Sequence, residues 1–177
     1  MQASENHQAP GQVFVDGAGN VFLLRDATQG GRHAEQPEYL DATAIEREDI
    51  RAMLKVLRAG RAIWYAPDQD YGRKQSIFVP LFGIQAATVT ATTKFARLGK
   101  ARVVPFTQRR LEDGSGYRLV IHPPLEHFPG ESEEADCLRI NQWVEQVVSA
   151  CPEQYLWAHR RFKTRPEGEP KLYGKRK

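Results

Sequence analysis

Asp68 and Asp70 stand two positions apart in Pro67-Asp68-Gln69-Asp70-Tyr71-Gly72, and their residue types suit them to chemistry. A carboxylate can act as a general base, ligate a cation or accept a hydrogen bond from a substrate hydroxyl. The two carboxylates are read as serving separate partners rather than one shared dyad, and Gly72 lets the backbone turn after them. A metal site needs more convergent ligands than this stretch offers, so no metal and no cofactor is expected. The same residues also fit a surface turn, with Asp68 capping backbone N–H groups after Pro67. On pattern alone both readings stand.

The other candidate groups lie towards the C-terminus. The five histidines do not cluster, and His122 and His127 flank a Pro-Pro loop without the Cys/His company that zinc spacing requires. His159 opens a stretch to Lys177 with eight Lys/Arg and two Glu, a local charge of +6 in a chain whose net charge is +3. Arg forks match phosphate and carboxylate geometry, so the stretch reads as a clamp on anionic head groups. Nucleic acid would use the same residue types, but the body of the chain is acidic and no nucleic acid is expected. A solvated tail is the plainer alternative. Tyr155, Trp157 and Phe162 argue that its first half packs onto the body. Phosphate-loop and nucleophile-elbow patterns are absent from the sequence.

The elements that must position these groups show in the periodicity. Ala62-Ile63-Trp64-Tyr65-Ala66 is an apolar run that fits a strand buried on both faces and ended by Pro67. Ahead of it, Ile50, Met53, Leu54 and Leu57 mark an amphipathic helix closed by Gly60. Ser76–Gly83 is an apolar segment broken by Pro80. A helix is expected over Thr88–Leu98, and a short buried strand over Arg102–Phe106. Tyr117–His122 alternates as a strand after the turn Asp113-Gly114-Ser115-Gly116. Ser132 caps a long helix with Cys137, Ile140, Val144, Val147 and Cys151 on one face, and Pro152 stops it. The two cysteines are then about 21 Å apart along the axis, too far for a disulfide. Both read as reduced, buried apolar residues. Alternating strands and helices predict an α/β fold with a mainly parallel sheet. Residues 1–43 differ from this pattern. They hold a hairpin signal, Gln12–Val15 and Val21–Leu24 around a glycine turn, and then a polar, Gly-rich stretch. The expected division is an atypical segment over 1–43 and the main domain over 44–177.

Hydrophobic residues make up 41% and charged residues 27%, a soluble globular composition. No run approaches the roughly 20 apolar residues of a membrane helix, and the N-terminus lacks a signal-peptide pattern.

Three stretches together resemble one family. They are Arg61-Ala62-Ile63-Trp64-Tyr65-Ala66-Pro67-Asp68-Gln69-Asp70-Tyr71-Gly72, then Ala101-Arg102-Val103-Val104-Pro105-Phe106, then Pro152 to Pro166 with its Trp157-Ala158-His159-Arg160-Arg161-Phe162-Lys163-Thr164-Arg165. The chain is similar to the bacterial lipid A biosynthesis acyltransferases of the lauroyl/palmitoleoyl type, from about Ala44 onward. The resemblance implies a glycerolipid-acyltransferase-like fold. It also implies transfer of a fatty acyl group from acyl carrier protein to a hydroxyl of the Kdo-bearing lipid A precursor, at the cytoplasmic face of the cell inner membrane. It places Asp68, Gln69, Asp70 and Gly72 on the acceptor side and Pro105 in the block that shapes the pocket. Arg160 and Arg161 are candidates for lipid-phosphate contact on charge alone.

In the family, a His-x4-Asp/Glu pair supplies the general base and its orienting carboxylate. One literal match occurs here, His33 to Glu38, but it follows Gly30-Gly31-Arg32 rather than an apolar strand and contains Pro37. The chain is therefore read as a fragment without the catalytic pair and with no catalytic residue to assign. The alternative is a non-catalytic remnant that binds anionic lipid through its basic tail.

Overall fold

The computed structural model describes residues 21–22, 44–45, 49–64 and 66–174. The chain divides into two compact units, Met1–Tyr65 and Ala66–Lys177. His33, Glu38 and the first arm of the expected N-terminal hairpin lie outside the described residues.

In the first unit β1 (Val21–Phe22) pairs antiparallel with β2 (Ala44–Ile45). Helix α1 (Ile50–Arg58) starts where the Asp49 carboxylate accepts the Ala52 N–H at 2.9 Å. It ends as the sequence predicts. Gly60 takes φ 74°, its N–H donates to Leu57 O at 2.9 Å, and the Arg61 N–H donates to Val56 O at 3.2 Å. These paired bonds satisfy the last carbonyls of the helix, and the left-handed step comes easily only to glycine. The strand expected over Ala62–Ala66 does not form among its described residues. An apolar run becomes a strand only beside a ladder partner, and each described strand already pairs in twos. Ala62 is exposed, with Ile63 and Trp64 half-buried.

The second unit begins with a hairpin of β3 (Ser76–Leu81) and β4 (Ile84–Val89). Phe82 and Gly83, with φ 50° and 73°, form its two-residue turn. Positive φ at both positions gives a backbone twist that matches the strands. Pro80 is accommodated because a two-stranded sheet leaves every strand a free edge. Pairing with β3 draws Thr88 into β4, so helix α2 (Ala91–Gly99) starts later than the periodicity suggests. A second hairpin joins β5 (Phe106–Arg110) and β6 (Tyr117–Ile121). The strand expected over Arg102–Phe106 is displaced to β5. Val103 O accepts from Leu125 N–H and Pro105 O from His122 N–H, both at 2.9 Å, but Pro105 has no N–H to return.

The pairings among the described strands are antiparallel, which corrects the expected mainly parallel sheet while leaving the class mixed α/β. The physical reason is loop length. A parallel pair needs a crossover of about a dozen residues or more. The strands that pair in the second unit are joined by Phe82-Gly83 and by the Leu111–Gly116 loop.

Helix α3 (Glu133–Ala150) is capped by Ser132, whose hydroxyl accepts the Ala135 N–H at 3.1 Å. It lays Val144 and Val148 against Leu81 and Ala86, and Trp143, Tyr155 and Phe162 pack against this cluster. Cys137 is buried and free, and burial pushes its thiol up to about 11. Cys151 is also free but only half-buried at the helix end, where its thiol donates to Glu153 at 2.7 Å. A 3-10 turn (Pro152–Gln154) follows. The Gln154 side chain then extends the β5 edge, accepting the Arg110 N–H at 2.7 Å and donating to Arg110 O at 3.0 Å.

Candidate functional site

Pro67 begins a turn that Gly72 completes with φ 84°. Between them Asp70 is only 1% exposed, and both carboxylate oxygens and its N–H have partners. Its Oδ1 accepts the Gly72 N–H at 2.9 Å, which closes the turn. Its Oδ2 accepts the Thr164 N–H at 2.8 Å. Its own N–H donates to His159 Nε2 at 3.0 Å. Asp70 therefore staples the turn to the C-terminal segment. Its carboxylate oxygens are spent on backbone donors, so it positions the site rather than acting as a base.

Arg161 does the same from the opposite side. It is 2% exposed, with NH1 donating to Ala87 O at 2.8 Å and NH2 to Thr88 Oγ1 at 3.0 Å. Burial pulls its pKa down, opposed by Tyr155, Asp68 and Asp70. This placement removes Arg161 from the exposed lipid-phosphate contact that its charge suggested. The Thr88 hydroxyl is fully used. It accepts from Arg161 and, at 3.0 Å, from Asn141 Nδ2, and it donates to Ala86 O at 3.1 Å. Asn141 also donates to Pro80 O at 2.8 Å. A buried network thus runs from α3 through β4 to the C-terminal segment, with Arg161 Nε as its buried donor left without a partner.

The more accessible groups surround this frame. Asp68 and Gln69 are half-buried, and the Tyr71 hydroxyl donates to Gln69 Oε1 at 2.5 Å. Burial and then the Asp68 charge push the Tyr155 phenol well above its ordinary range. His159, Arg160 and Lys163, with Ala158, line an open hollow of about 240 Å³. Burial, then Lys163, holds the His159 pKa below its usual value. Since Nε2 accepts from Asp70 N–H, the neutral ring carries its proton on Nδ1. Pro105 belongs to the strand-like segment bonded to His122. The structure thus brings Asp68, Gln69, Asp70 and Gly72 together with Arg161 and the Arg160 segment, whereas Pro105 O accepts from the His122 N–H.

Sequence reasoning missed Thr88 and Asn141. The available signal was Asn141 itself, a polar residue between Ile140 and Val144 on the buried face of α3. Among the described residues no three His, Cys, Asp or Glu gather as a metal site. Nor is any described helix long and apolar enough to cross a membrane.

Residues 31–164, which hold both halves of this staple, match the family described as bacterial lipid A biosynthesis acyltransferase. The chain belongs to the lipid A biosynthesis acyltransferase family. The lauroyltransferase of lipid A biosynthesis from Escherichia coli (strain K12) is 48% identical over 130 residues, 73% of this chain and 42% of that protein. The palmitoleoyltransferase of the same organism is 45% identical over 130 residues, with the same coverage. A lipid A biosynthesis acyltransferase of Haemophilus influenzae is 44% identical over 133 residues. The chain spans about two-fifths of the length of these relatives. The residues of the Asp70 staple and of the Arg161 network lie within the stretch that matches the family.

Proposed function

We propose that this region serves a lipid A biosynthesis acyltransferase, moving a lauroyl-like acyl group from acyl carrier protein to a hydroxyl of the Kdo-bearing lipid A precursor at the inner-membrane surface. The observation that carries the reading is the 48% identity to a lauroyltransferase over a stretch that includes the stapled turn. In this reading the turn forms the acceptor-side wall. Asp68 and Gln69 face the acceptor, Gly72 shapes the bend, and Asp70 and Arg161 hold the wall rigid. Pro105 shapes the pocket from its own segment, and Arg160 lies on the hollow beside the wall.

His159, the histidine of the wall, commits Nε2 to the Asp70 N–H and is not read as the general base. The 177-residue chain alone is expected to show no turnover, since its one His-x4-Glu match, His33 to Glu38, follows no apolar strand. The test replaces the matching region of the Escherichia coli lauroyltransferase with this one and assays lauroyl transfer. Transfer near the parent rate, reduced by Asp68→Ala, supports the reading. A folded chimera without transfer overturns it and favours the second reading, lipid binding without catalysis, which the basic hollow supports.

A further inference from the structure

We propose that the hollow lined by Ala158, His159, Arg160 and Lys163 is a binding site for a phosphate monoester. Three residues that carry donors of different kinds line it. Arg160 offers a planar fork held in place by the Tyr173 ring, 5.6 Å from its Cζ, with NH1 3.5 Å from Gly174 O. The Tyr173 hydroxyl accepts the Phe162 N–H at 3.2 Å, so the ring that carries the guanidinium is itself anchored. Lys163 is exposed and adds a mobile point charge. His159 adds an N–H at Nδ1, because Asp70 N–H occupies Nε2.

A carboxylate has two oxygens to offer, whereas a phosphate monoester has three terminal oxygens and up to two charges, which matches a fork, a point charge and a neutral donor. Among the described residues no carboxylate lies within ion-pair distance of Arg160 or Lys163. Of the acids that face His159, Asp70 has both oxygens engaged by backbone N–H groups, leaving Asp68 to oppose an anion. A hollow of about 240 Å³ has room for a phosphoryl group and its ester arm.

The site deepens the acceptor-side reading, since the His159 ring joins it to Asp70, and it rests on that reading for its biological use. Binding is measured without any transfer assay, so the two can fail separately. The 177-residue chain is titrated with inorganic phosphate against chloride of equal ionic strength, reading melting temperature and histidine NMR shifts. Saturable binding is expected, weakened about three- to tenfold by Lys163→Ala and by Arg160→Lys, which keeps charge but loses the fork. The Lys163 side chain is exposed, so Lys163→Ala leaves the fold intact. No effect beyond chloride, or wild-type affinity in both variants, overturns the proposal. Phosphatidylcholine vesicles carrying equal fractions of phosphatidic acid or phosphatidylglycerol then separate the sources. Preference for phosphatidic acid, lost in Lys163→Ala, identifies a lipid headgroup. Phosphate binding without that preference identifies a soluble phosphate ester. Equal adsorption to both vesicles without phosphate binding means diffuse attraction and overturns the site.

Discussion

Asp70 shows how a residue singled out for its chemistry can act through position. Its two oxygens hold N–H groups of Gly72 and Thr164, the second 94 positions away. Asp70→Asn keeps one acceptor and turns an amide N–H₂ towards a backbone donor. It should cost about 1–3 kcal/mol, the range for a buried group left unsatisfied, seen as a lower urea midpoint at unchanged slope. An unchanged midpoint would remove the staple. His159 makes a related prediction in pH. Its folded-state pKa lies below the ordinary 6.5, through burial and Lys163 and then Arg161, against Asp68 and Asp70. The unfolded chain therefore takes up the proton first. The stability contributed by the neutral ring is present above 6.5 and is lost as pH falls through the lower folded value. His159→Gln offers Asp70 N–H an acceptor that does not titrate, so wild type should lose stability relative to this variant on acidification. Parallel stability curves would sink the assignment. The sequence marked Asp70 by type, but no spacing rule reaches a partner that far along the chain. Arg161 misled for the same reason. Charge suggests solvent, and only the fold reveals that Ala87 O and Thr88 Oγ1 receive it.

Element ends were legible because capping is local. Ser132 and Gly60 stand where their helices start and stop, each satisfying backbone groups within a few residues. Ser132→Ala should cost about 1 kcal/mol, the usual loss for an N-cap hydroxyl, checked by chemical denaturation. A difference near zero would mean that Glu133, Glu134 and Asp136 in the first turn carry the helix start instead. Strand partners were less legible, since an apolar run does not say what it pairs with. The β3–β4 turn is a case where local preference and sequence disagree. Phe82 is 41% exposed and sits at φ 50°, a conformation that Asn adopts more readily than Phe. Phe82→Asn creates Asn-Gly, the favoured pair for this turn. It leaves the bond from residue 82 N–H to Glu145 Oε1 in place. We expect a gain of about 1 kcal/mol in thermal or urea unfolding. A loss would show that the phenyl ring contributes packing worth more than the backbone strain.

For the whole chain, family membership was legible from three separated stretches, while the sheet topology was not. The stretches record residue identities, whereas parallel or antiparallel pairing depends on which segments meet. The C-terminal segment distinguishes the two kinds of information most clearly. Its eight basic residues read as a solvated tail or an anion clamp, yet part of it is core. Phe162 packs on the Leu81–Val144 cluster, Arg161 is buried in the β4 network, and Thr164 N–H completes Asp70. A solvated charge run can be removed without loss of stability, but an integral strap cannot. Ending the chain at Ala158 would take the partners from Asp70 Oδ2, the Asp70 N–H and Ala87 O and would uncover apolar surface. That truncation should lose several kcal/mol and bind a hydrophobic dye, because each buried group left unsatisfied costs about 1–3 kcal/mol. Lys163→Gln with Lys171→Gln removes two exposed charges from the same segment and touches none of these bonds. It should leave stability within about 0.5 kcal/mol of wild type. If truncation and neutralisation had equal, small effects, the segment would be a tail after all, and the stapled turn would need another support.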